Sequence, residues 1–520
     1  MSFDLIPEPQ SVTLNGEAAD SDDAGAPVPV ALPLVGRISE DRDIDDIAGV
    51  FPTQLADDIE AATGLRWDIA SDVMVAGLPA PNAATAHPVP PHASCWKSFI
   101  TLRLDPSSLE PQEYRLTIAS SGIDVVGGDT EGVRNGVQTL RQIIRQCAPA
   151  LPRLVIADKP AYKVRGYYLD ATRGRVPTLD WLKTWADRLC LYKYNQLQLY
   201  IEHTFMFDDL SETWRGTSPL KPADIIAFDE YCARLGIELV PSVSTFGHQY
   251  MAMRTRELRH LGEFPEDADR RYGFVERQRH HTLNITEPES LAFSFKLIDA
   301  YMQLFRTRKF NICGDETFDL GRGRSKPEAE RRGVAAMYAN FVSQLCRHLS
   351  ERGREPMFWG DIAVEMPQIL GLLPDNVTLL NWLYAPGIGE DKVRLVAQAG
   401  APQYVCSAVW CWNALLPRLD DSWNNISRLA RYGVKYGAVG YLVTDWGDYG
   451  HVNDPRMAVS GMIFGAQCAW NPMAHIQGEA GCGDGEGGSA AGYADAAADV
   501  VRENKAAADG DSLAPLPSSS

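Results

Sequence analysis

Two adjacent carboxylates, Asp315 and Glu316, follow the apolar start of the segment FNICGDETFDL (310–320). Adjacent side chains of a regular strand point to opposite faces. Gly314 and the end of the strand are therefore expected to let both acids face one cavity. Two buried carboxylates repel each other, which raises the pKa of one member. Since a general acid that works near neutral pH needs a raised carboxyl pKa, the pair predicts proton-transfer chemistry.

Polar and aromatic side chains also follow the other apolar runs of the chain, and tryptophans are frequent among them. Carboxylates that bind hydroxyl groups, beside aromatic rings on which a pyranose can stack, predict a sugar pocket. The residues concerned are, in chain order, Asp170, Arg173, Glu202, His203, His248, Trp359, Asp361, Trp382, Tyr384, Trp410, Trp412, Asn413, Asp445, Trp446 and Asp448. A tryptophan or histidine taken singly is as often a core residue as a ligand contact, and Arg173 could simply pair with Asp170.

Other kinds of site lack their sequence signals. The segment GRGRSK (321–326) does not have the spacing of a phosphate-binding loop. The histidines are too dispersed for metal-ligand spacing, so we predict neither a metal ion nor another cofactor. Lys and Arg number 49 against 68 Asp and Glu, a formal charge of −19, which argues against nucleic acid or an anionic membrane as the main partner.

The elements that must position these side chains are predicted from a repeated strand–helix rhythm between Lys163 and Trp470. Eight apolar runs alternate with helical stretches, which predicts a (β/α)8 TIM barrel with its site at the carboxyl ends of the strands. We expect the fourth strand to be KFNICGDET (309–317) and the following helix to span 327–350. A doubly wound open sheet is the alternative, but it usually carries a glycine-rich turn after its first strand, and YYLDATRGR has none.

Three domains are predicted. Residues 1–160 form a small α+β domain, in which 114–144 gives two alternating strands and an amphipathic helix, and 80–92 reads as a loop. Residues 161–475 form the catalytic (β/α)8 barrel. Residues 476–520 are rich in Gly, Ala, Asp and Ser, and we expect a flexible, low-complexity tail with at most one short helix at 490–506.

The chain is expected to be cytoplasmic. Its start, MSFDLIPEPQSV, lacks the basic and apolar parts of a signal peptide, and no apolar run approaches the ~18 residues of a membrane span. Its ten cysteines are scattered without a CxxC pair, which favours buried free thiols. The oligomeric state is left open.

Five motifs make the chain resemble glycoside hydrolase family 20, the β-N-acetylhexosaminidases. They are RGYYLDATR (165–173), GIELVPSVSTFGH (236–248), FNICGDETFDLGRG (310–323), MFWGD (357–361) and TDWGD (444–448). The segment GVRNGVQTLRQII (132–144) also resembles the small domain that precedes the barrel in that family. Within the family, GDETFDLG is most similar to an intracellular bacterial branch.

The resemblance implies an exo-acting enzyme that releases terminal β-linked GlcNAc or GalNAc from a small oligosaccharide or glycoconjugate. The implied mechanism is retaining and substrate-assisted, through an oxazolinium-like intermediate. Glu316 would be the general acid and base, and Asp315 would orient the substrate's 2-acetamido group.

The remaining roles also come from the resemblance. Arg173 would hold the hydroxyls at C3 and C4, Trp446 and Asp448 would match a Trp-x-acid pair, and His248 would support the site from behind. The tryptophans expected to wall the acetamido pocket are Trp359, Trp382 and Trp410.

The chain departs from the family pattern in two places. A tyrosine that supports the acetamido carbonyl is usual after strand seven, but here the segment reads VWCWNALLP, which leaves Asn413 or Tyr384 as the candidate. Asp448 stands where Glu is common, and its shorter reach could change the preference between GlcNAc and GalNAc.

Two other functions stay open. One is a conventional retaining glycosidase that uses Glu316 with a second carboxylate such as Glu202, and the other is a sugar-binding barrel without catalysis.

Overall fold

Eight parallel strands close into a barrel, because the first strand pairs with the last. The structure, a computed structural model, describes residues 3–14, 28–47, 49–70 and 98–474. Most residues of the eight strands are buried on both faces, which explains their nearly continuous apolar runs. The predicted (β/α)8 barrel is confirmed. Its strands, numbered after the nine of the small domain, are β10 (Arg165–Asp170), β11 (Gln196–Ile201), β12 (Glu238–Val243), β13 (Lys309–Asn311), β14 (Glu355–Trp359), β15 (Thr378–Trp382), β16 (Gln403–Ala408) and β17 (Gly440–Asp445).

The fourth strand is shorter than the sequence predicts, since it ends at Asn311 rather than residue 317. The Asn311 side chain accepts a hydrogen bond from the backbone N–H of Cys313 at 2.9 Å. Cys313 and Gly314 then have φ of 61° and 79°, in the left-handed region. The two carboxylates of the opening motif therefore follow the strand and are free of its alternation.

Helices surround the barrel, and short 3₁₀ segments interrupt the longer loops. The small-domain helices are α1 (Val50–Thr63) and α2 (Thr130–Cys147). The others are α3 (Leu179–Leu191), α4 (Ser211–Trp214), α5 (Pro222–Arg234), α6 (Tyr250–Met253), α7 (Pro288–Met302), α8 (Lys326–Arg332), α9 (Val334–Ser350), α10 (Asp361–Glu365), α11 (Asp391–Gln398), α12 (Leu419–Lys435) and α13 (Val459–Trp470). None of the helices described combines the length and apolar character needed to cross a bilayer.

The helix predicted over 327–350 is divided into α8 and α9. The break lies at Gly333, whose φ of 82° no residue of a right-handed helix adopts. Glycine takes this conformation without steric cost, so a single residue separates the two helices.

A small α+β domain precedes the barrel, as predicted. Its strands are β1 (Ser11–Leu14), β2 (Val30–Ala31), β3 (Arg37–Glu40), β4 (Asp68–Ile69), β5 (Ile100–Leu104), β6 (Tyr114–Ala119), β7 (Gly122–Gly127), β8 (Ala150–Leu151) and β9 (Leu154–Asp158). Seven of them form one sheet in the order β1-β9-β6-β7-β5-β3-β4, and β2 pairs with β8. Helix α2 covers this sheet, and Asp129 caps its first turn by accepting from the N–H of Gly132 at 2.7 Å.

The small domain contacts the amino ends of the barrel strands. The guanidinium of Arg134, on α2, is almost fully buried and donates to the carbonyls of Leu235 and Gly236, just before β12. Trp470, the last residue of α13, belongs to the apolar core of the small domain. The described residues up to Met473 form one compact unit.

A buried ion pair lies in the same contact. Lys193, before β11, places its Nζ 3.5 Å from Asp158 and 4.2 Å from the ring centre of Trp470. Asp158 also accepts from the hydroxyl of Tyr114 at 2.8 Å and from Trp470 Nε1 at 2.9 Å. Every partner of this pair that we name is itself buried.

The predicted boundaries at 160 and 475 stay predictions, although β9 ends at Asp158 and β10 begins at Arg165. The loop at 80–92, the tail at 476–520 and its short helix at 490–506 lie outside the described residues.

Candidate active site

The two acids lie in a turn that three neighbouring elements hold. The carbonyl of Cys313 accepts from the N–H of Trp359 at 3.0 Å, and that of Gly314 accepts from the Tyr338 hydroxyl at 2.8 Å. The N–H of Glu316 donates to the carboxylate of Asp361 at 3.1 Å. Glu316 itself has a φ of 46°, unusual outside glycine. These bonds fix an irregular backbone that places both carboxylates at one end of the barrel.

His248, after β12, lies beside both acids. Its Nε2 is 3.4 Å from Asp315 Oδ2 and 3.5 Å from Glu316 Oε2. These distances suit ion pairs, but neither contact has hydrogen-bond alignment, and catalytic hydrogen bonds often tighten only when substrate binds. Burial opposes charge on the His248 ring, yet the neighbouring Asp315 and Glu316 outweigh it and raise its pKa to about 9.

The two acids differ in their contact with solvent. The side chain of Glu316 is 34% exposed, whereas that of Asp315 is 9% exposed. Burial is the main cause that raises the pKa of Glu316, and the charge of Asp315 adds to it while His248 opposes it. Asp315 Oδ1 is buried and has no hydrogen-bond partner among the described residues. One acid can therefore exchange protons, and the other offers a buried acceptor.

The same three side chains also bring their donor atoms within 4.8 Å of one another, a spacing at which a metal ion could be held. The predicted absence of a metal stays a prediction.

Arg173, three residues after the end of β10, connects carboxylates from two other strand ends. It donates from Nε to Glu202 at 3.1 Å and from Nη1 to Asp448 at 2.6 Å. Its guanidinium also lies 5.1 Å from the ring centre of Trp446. An ion pair with Asp170 is present but longer, at 3.9 Å. Arg173 is therefore more than a partner for Asp170, because it joins the ends of the two strands that flank β10.

Glu202 is held on the same side as Arg173. Its Oε1 accepts from Arg173 and from the Tyr200 hydroxyl at 3.0 Å. Burial would raise the pKa of Glu202, but His203 and Arg173 outweigh burial and lower it. The carboxylate is therefore ionised and already bonded at one oxygen.

Asp448 follows β17 and is 31% exposed. Burial raises the pKa of this carboxyl, against the attraction of Arg173. Its carbonyl accepts from Gln278 Nε2 at 2.5 Å, so the long loop after β12 fixes the backbone at this point. Asp170 holds the loop after β17 as well, since its Oδ2 accepts from the N–H of Gly447 at 3.0 Å.

The aromatic residues predicted at the last four strand ends form one cluster. Trp446 donates from Nε1 to the Tyr384 hydroxyl at 2.7 Å, and the rings of Tyr384 and Trp382 stack with centres 5.1 Å apart. Trp359 lies 5.6 Å from Trp446 and is fully buried. Trp410 donates from Nε1 to the carbonyl of Tyr384 at 2.9 Å.

The candidates for the acetamido carbonyl differ in position. Tyr384 lies inside the aromatic cluster, half-buried, whereas Asn413 is exposed in the turn after β16. The structure thus brings Tyr384 to the site, and the contribution of Asn413 stays a prediction.

Of three further residues of the site, Asp170 and Asp361 were among the predicted strand-end residues, and Tyr200 was not. Asp361 binds the backbone of Glu316, Tyr200 bonds to Glu202, and Asp170 Oδ1 accepts from the N–H groups of Thr172 and Arg173 at 2.8 and 3.0 Å. Tyr200 lies one residue before the end of β11, and that position is the signal that could have found it. Burial, followed by the charge of Asp315, raises the pKa of Asp361 well above its usual value.

Characterised proteins with similar sequences include two bacterial glycosidases. The lacto-N-biosidase of Bifidobacterium bifidum is 26% identical over 315 residues, which cover 57% of this chain and 26% of that protein. A β-hexosaminidase of Akkermansia muciniphila is 30% identical over 345 residues, which cover 59% of this chain and 65% of that protein. The chain thus spans about a quarter of the first relative and just under two thirds of the second.

Solved structures share the fold over most of the chain. A β-N-acetylhexosaminidase from Bacteroides fragilis aligns with a TM-score of 0.66 over 97% of this chain and 95% of that one, at 17% identity. The N-acetyl-β-hexosaminidase of Streptomyces plicatus aligns with a TM-score of 0.66 over 91% of both chains, at 19% identity.

Two family models match consecutive parts of the chain. Residues 46–159 match glycosyl hydrolase family 20, domain 2, and residues 162–412 match the catalytic domain of the same family. The first match covers the small α+β domain from just before α1 to the end of β9, and the second contains Asp315, Glu316, Arg173 and His248. The chain belongs to glycosyl hydrolase family 20.

Proposed function

We propose that this protein is an exo-β-N-acetylhexosaminidase that releases terminal β-linked GlcNAc or GalNAc by a retaining, substrate-assisted mechanism. The observation that carries the proposal is the unequal pair of acids. Asp315 offers a buried oxygen without a partner among the described residues, and the half-exposed Glu316 has a raised pKa. A buried acceptor beside a proton donor suits a substrate whose amide N–H is part of the reaction.

The first step breaks the glycosidic bond. Protonated Glu316 gives its proton to the glycosidic oxygen, while the acetamido carbonyl oxygen of the sugar attacks C1. The bond from C1 to the leaving oxygen breaks, and the aglycone leaves as an alcohol. Asp315 accepts a hydrogen bond from the acetamido N–H and stabilises the positive charge of the oxazolinium ring.

The second step restores the sugar. The Glu316 carboxylate takes a proton from water, and the water oxygen attacks C1 from the face that the aglycone left. The bond from C1 to the acetamido oxygen breaks, and the acetamido group is regenerated. Two inversions at C1 give net retention, with no enzyme carboxylate as nucleophile.

Other side chains would bind the terminal sugar. Arg173 and Asp448, 2.6 Å apart, suit hydroxyl groups on the side of the ring away from the aglycone. Trp446 offers a ring face at the same place. Tyr384 accepts from Trp446 Nε1, which leaves its own O–H to donate to the acetamido carbonyl.

The names of relatives support this activity, since the Akkermansia muciniphila protein is a β-hexosaminidase and the Bifidobacterium bifidum protein a lacto-N-biosidase. The two-carboxylate alternative is less favoured, because Glu202 is already bonded to Arg173 and Tyr200. A barrel without catalysis is less favoured because both acids are present in an assembled site.

The decisive experiment compares nitrophenyl β-GlcNAc, β-GalNAc and β-glucoside as substrates of the wild type, Asp315→Asn and Glu316→Gln. We expect the wild type to cleave the acetamido sugars and Asp315→Asn to lose turnover on them by a factor on the order of 10²–10³. Wild-type protein that cleaves neither acetamido sugar contradicts the proposal. A comparable rate on the glucoside would favour the two-carboxylate mechanism, and unchanged activity in Glu316→Gln would favour a binding protein.

A cytoplasmic location belongs to the same proposal. It is supported by seven free cysteines, of which six are buried: Cys147, Cys190, Cys232, Cys313, Cys346, Cys406 and Cys411. A reducing compartment keeps thiols in this state. Fractionation of cells that express the natural gene, followed by immunoblotting, tests it.

A further inference from the structure

A small cavity lies behind His248, on the side away from the two acids. Its walls include Glu202, His203, His248, Thr213, Ala252 and Phe293. The volume open to the centre of a water molecule is about 10 Å³, which is close to what one buried water requires.

Both histidines that line the cavity have an unsatisfied ring nitrogen. Nδ1 of His248 and Nδ1 of His203 are buried and have no hydrogen-bond partner among the described residues. The His248 side chain is only 1% exposed, so bulk water does not reach it. Nδ1 of His203 is 3.8 Å from Glu202 Oε2, too far for a direct hydrogen bond. Buried polar groups without partners are costly, so two around one cavity point to an occupant.

We propose that one buried water molecule joins Nδ1 of His248 to Nδ1 of His203 and to Glu202, and that His203 is a positioning residue for the acids. The water accepts from the Nδ1–H groups of His248 and His203 and donates one proton to Glu202. Three hydrogen bonds are the usual number for a buried water. His203 then carries a proton on Nδ1.

This arrangement fixes the orientation of the His248 ring relative to Asp315 and Glu316. With Nδ1–H bound to the water, the ring cannot rotate without losing that bond, so Nε2–H stays directed at Asp315 and Glu316. His203 touches neither acid, and it acts only through the water and His248. The effect on catalysis rests on the function proposed above, because it concerns proton donation by Glu316.

Three variants test the role of the water in different ways. His203→Phe keeps a ring but removes the nitrogen, His203→Asn keeps a polar atom near the position of Nδ1, and Ala252→Val fills the cavity from the opposite wall without removing a polar group. His260→Asn is the control, since His260 is exposed and pairs with Glu289 on the surface.

The kinetic measurement is kcat/KM for acetamido glycosides with a good and a poor leaving group, a nitrophenyl and an alkyl glycoside. A poor leaving group depends most on the general acid. We therefore expect His203→Phe and Ala252→Val to lose on the order of tenfold more on the alkyl than on the nitrophenyl substrate. His203→Asn and the control should show little difference between the two. An equal loss on both substrates would overturn the positioning role, because general structural damage does not depend on the leaving group.

A crystal structure of the wild-type protein tests the water itself and needs no activity. We expect a density peak within about 2.7–3.2 Å of both Nδ1 atoms, and its absence from well-ordered density would overturn the inference. If the wild type cleaves no acetamido sugar but the water is present, the proposed function fails and the site of the water stands.

Discussion

At the scale of single residues, the positive charge of His248 opposes the effects that raise the pKa of Glu316. Burial and Asp315 raise the pKa of Glu316, and the imidazolium of His248 lowers it. Because the pKa of His248 is raised to about 9, the ring is charged at neutral pH. Glu316, the proposed general acid, therefore has two neighbours with opposite effects on its pKa, and removing one changes that pKa in a direction that follows from the neighbour's charge.

His248→Gln is expected to move the basic limb of the pH profile to higher pH. The general acid must be protonated, so kcat/KM falls as pH rises through the pKa of Glu316. Without the nearby positive charge this pKa rises further, and the fall occurs later. The measurement is kcat/KM between pH 4 and 10 for both proteins, with a lower maximum expected for the variant. A limb that moves to lower pH would show that His248 does not act on Glu316 through its charge.

Two buried tyrosines should respond in opposite ways to loss of the hydroxyl. Tyr338→Phe leaves the buried carbonyl of Gly314 without its partner and should lower the free energy of unfolding by about 1–3 kcal/mol. The Tyr301 hydroxyl is buried and has no partner among the described residues, so Tyr301→Phe should be neutral or stabilising. Urea unfolding at pH 7 measures both. Equal destabilisation would mean that the hydrogen bond to Gly314 contributes nothing.

At the scale of elements, the position of Asp315 and Glu316 depends on the loop after β12 as well as on the strand that they follow. A Cβ added to Gly247 would lie 2.5 Å from the carbonyl oxygen of Asp315, which is backbone and cannot swing away. The two loops therefore touch at a point where only glycine fits.

Gly247→Ala is expected to displace Asp315 and to reduce kcat by a factor on the order of 10², as misplacement of a catalytic group by about 1 Å does. Gly371→Ala is the matched control, since a Cβ there meets nothing within 4 Å and the residue is exposed. Steady-state kinetics on a nitrophenyl substrate compares them. Wild-type kcat in Gly247→Ala would show that the turn of Asp315 and Glu316 adjusts freely to the added methyl group.

Sequence patterns were sufficient for contacts that are local or that repeat at every strand end. Asp315, Glu316, Arg173 and His248 could be assigned to the site because each follows an apolar run. The bond from Glu316 to Asp361 could not, because it joins residues 45 positions apart through a backbone N–H. The choice between Tyr384 and Asn413 also needed coordinates, since a loop residue can point inward or outward with the same sequence.

At the scale of the whole molecule, the small domain and the barrel are joined by buried charge rather than by apolar surface alone. The barrel was predictable because the strand–helix pattern repeats eight times along the sequence. The order of the seven-stranded sheet was not, since its neighbours come from distant parts of the chain. Lys193 gave no sequence signal either, as an isolated lysine is usually exposed.

Lys193→Met should reduce stability by about 3 kcal/mol at pH 7, because Asp158 stays buried without its cation. Burial lowers the pKa of Lys193 to about 8, against the attraction of Asp158. Since the native pKa lies below the unfolded value of about 10.4, folding releases a proton between these pH values. The contribution of Lys193 therefore makes stability rise with pH across that window.

Urea unfolding at pH 7, 8, 9 and 10 tests this. The stability difference between wild type and Lys193→Met should grow from pH 8 to 10, whereas exposed Lys392→Met should give a difference that does not change. A difference that is flat or shrinks for Lys193→Met would contradict the lowered pKa.

The three bonds that hold the turn of Asp315 and Glu316 also determine where this protein can be engineered. Cys313, Gly314 and Glu316 each use a backbone group to reach another element, so random changes there should almost always yield inactive clones. The loops after β15, β16 and β17 carry Tyr384, Trp410, Trp446 and Asp448 but none of those bonds. Libraries for altered sugar preference are therefore best confined to these three loops, where sequence can change while the acids stay in place.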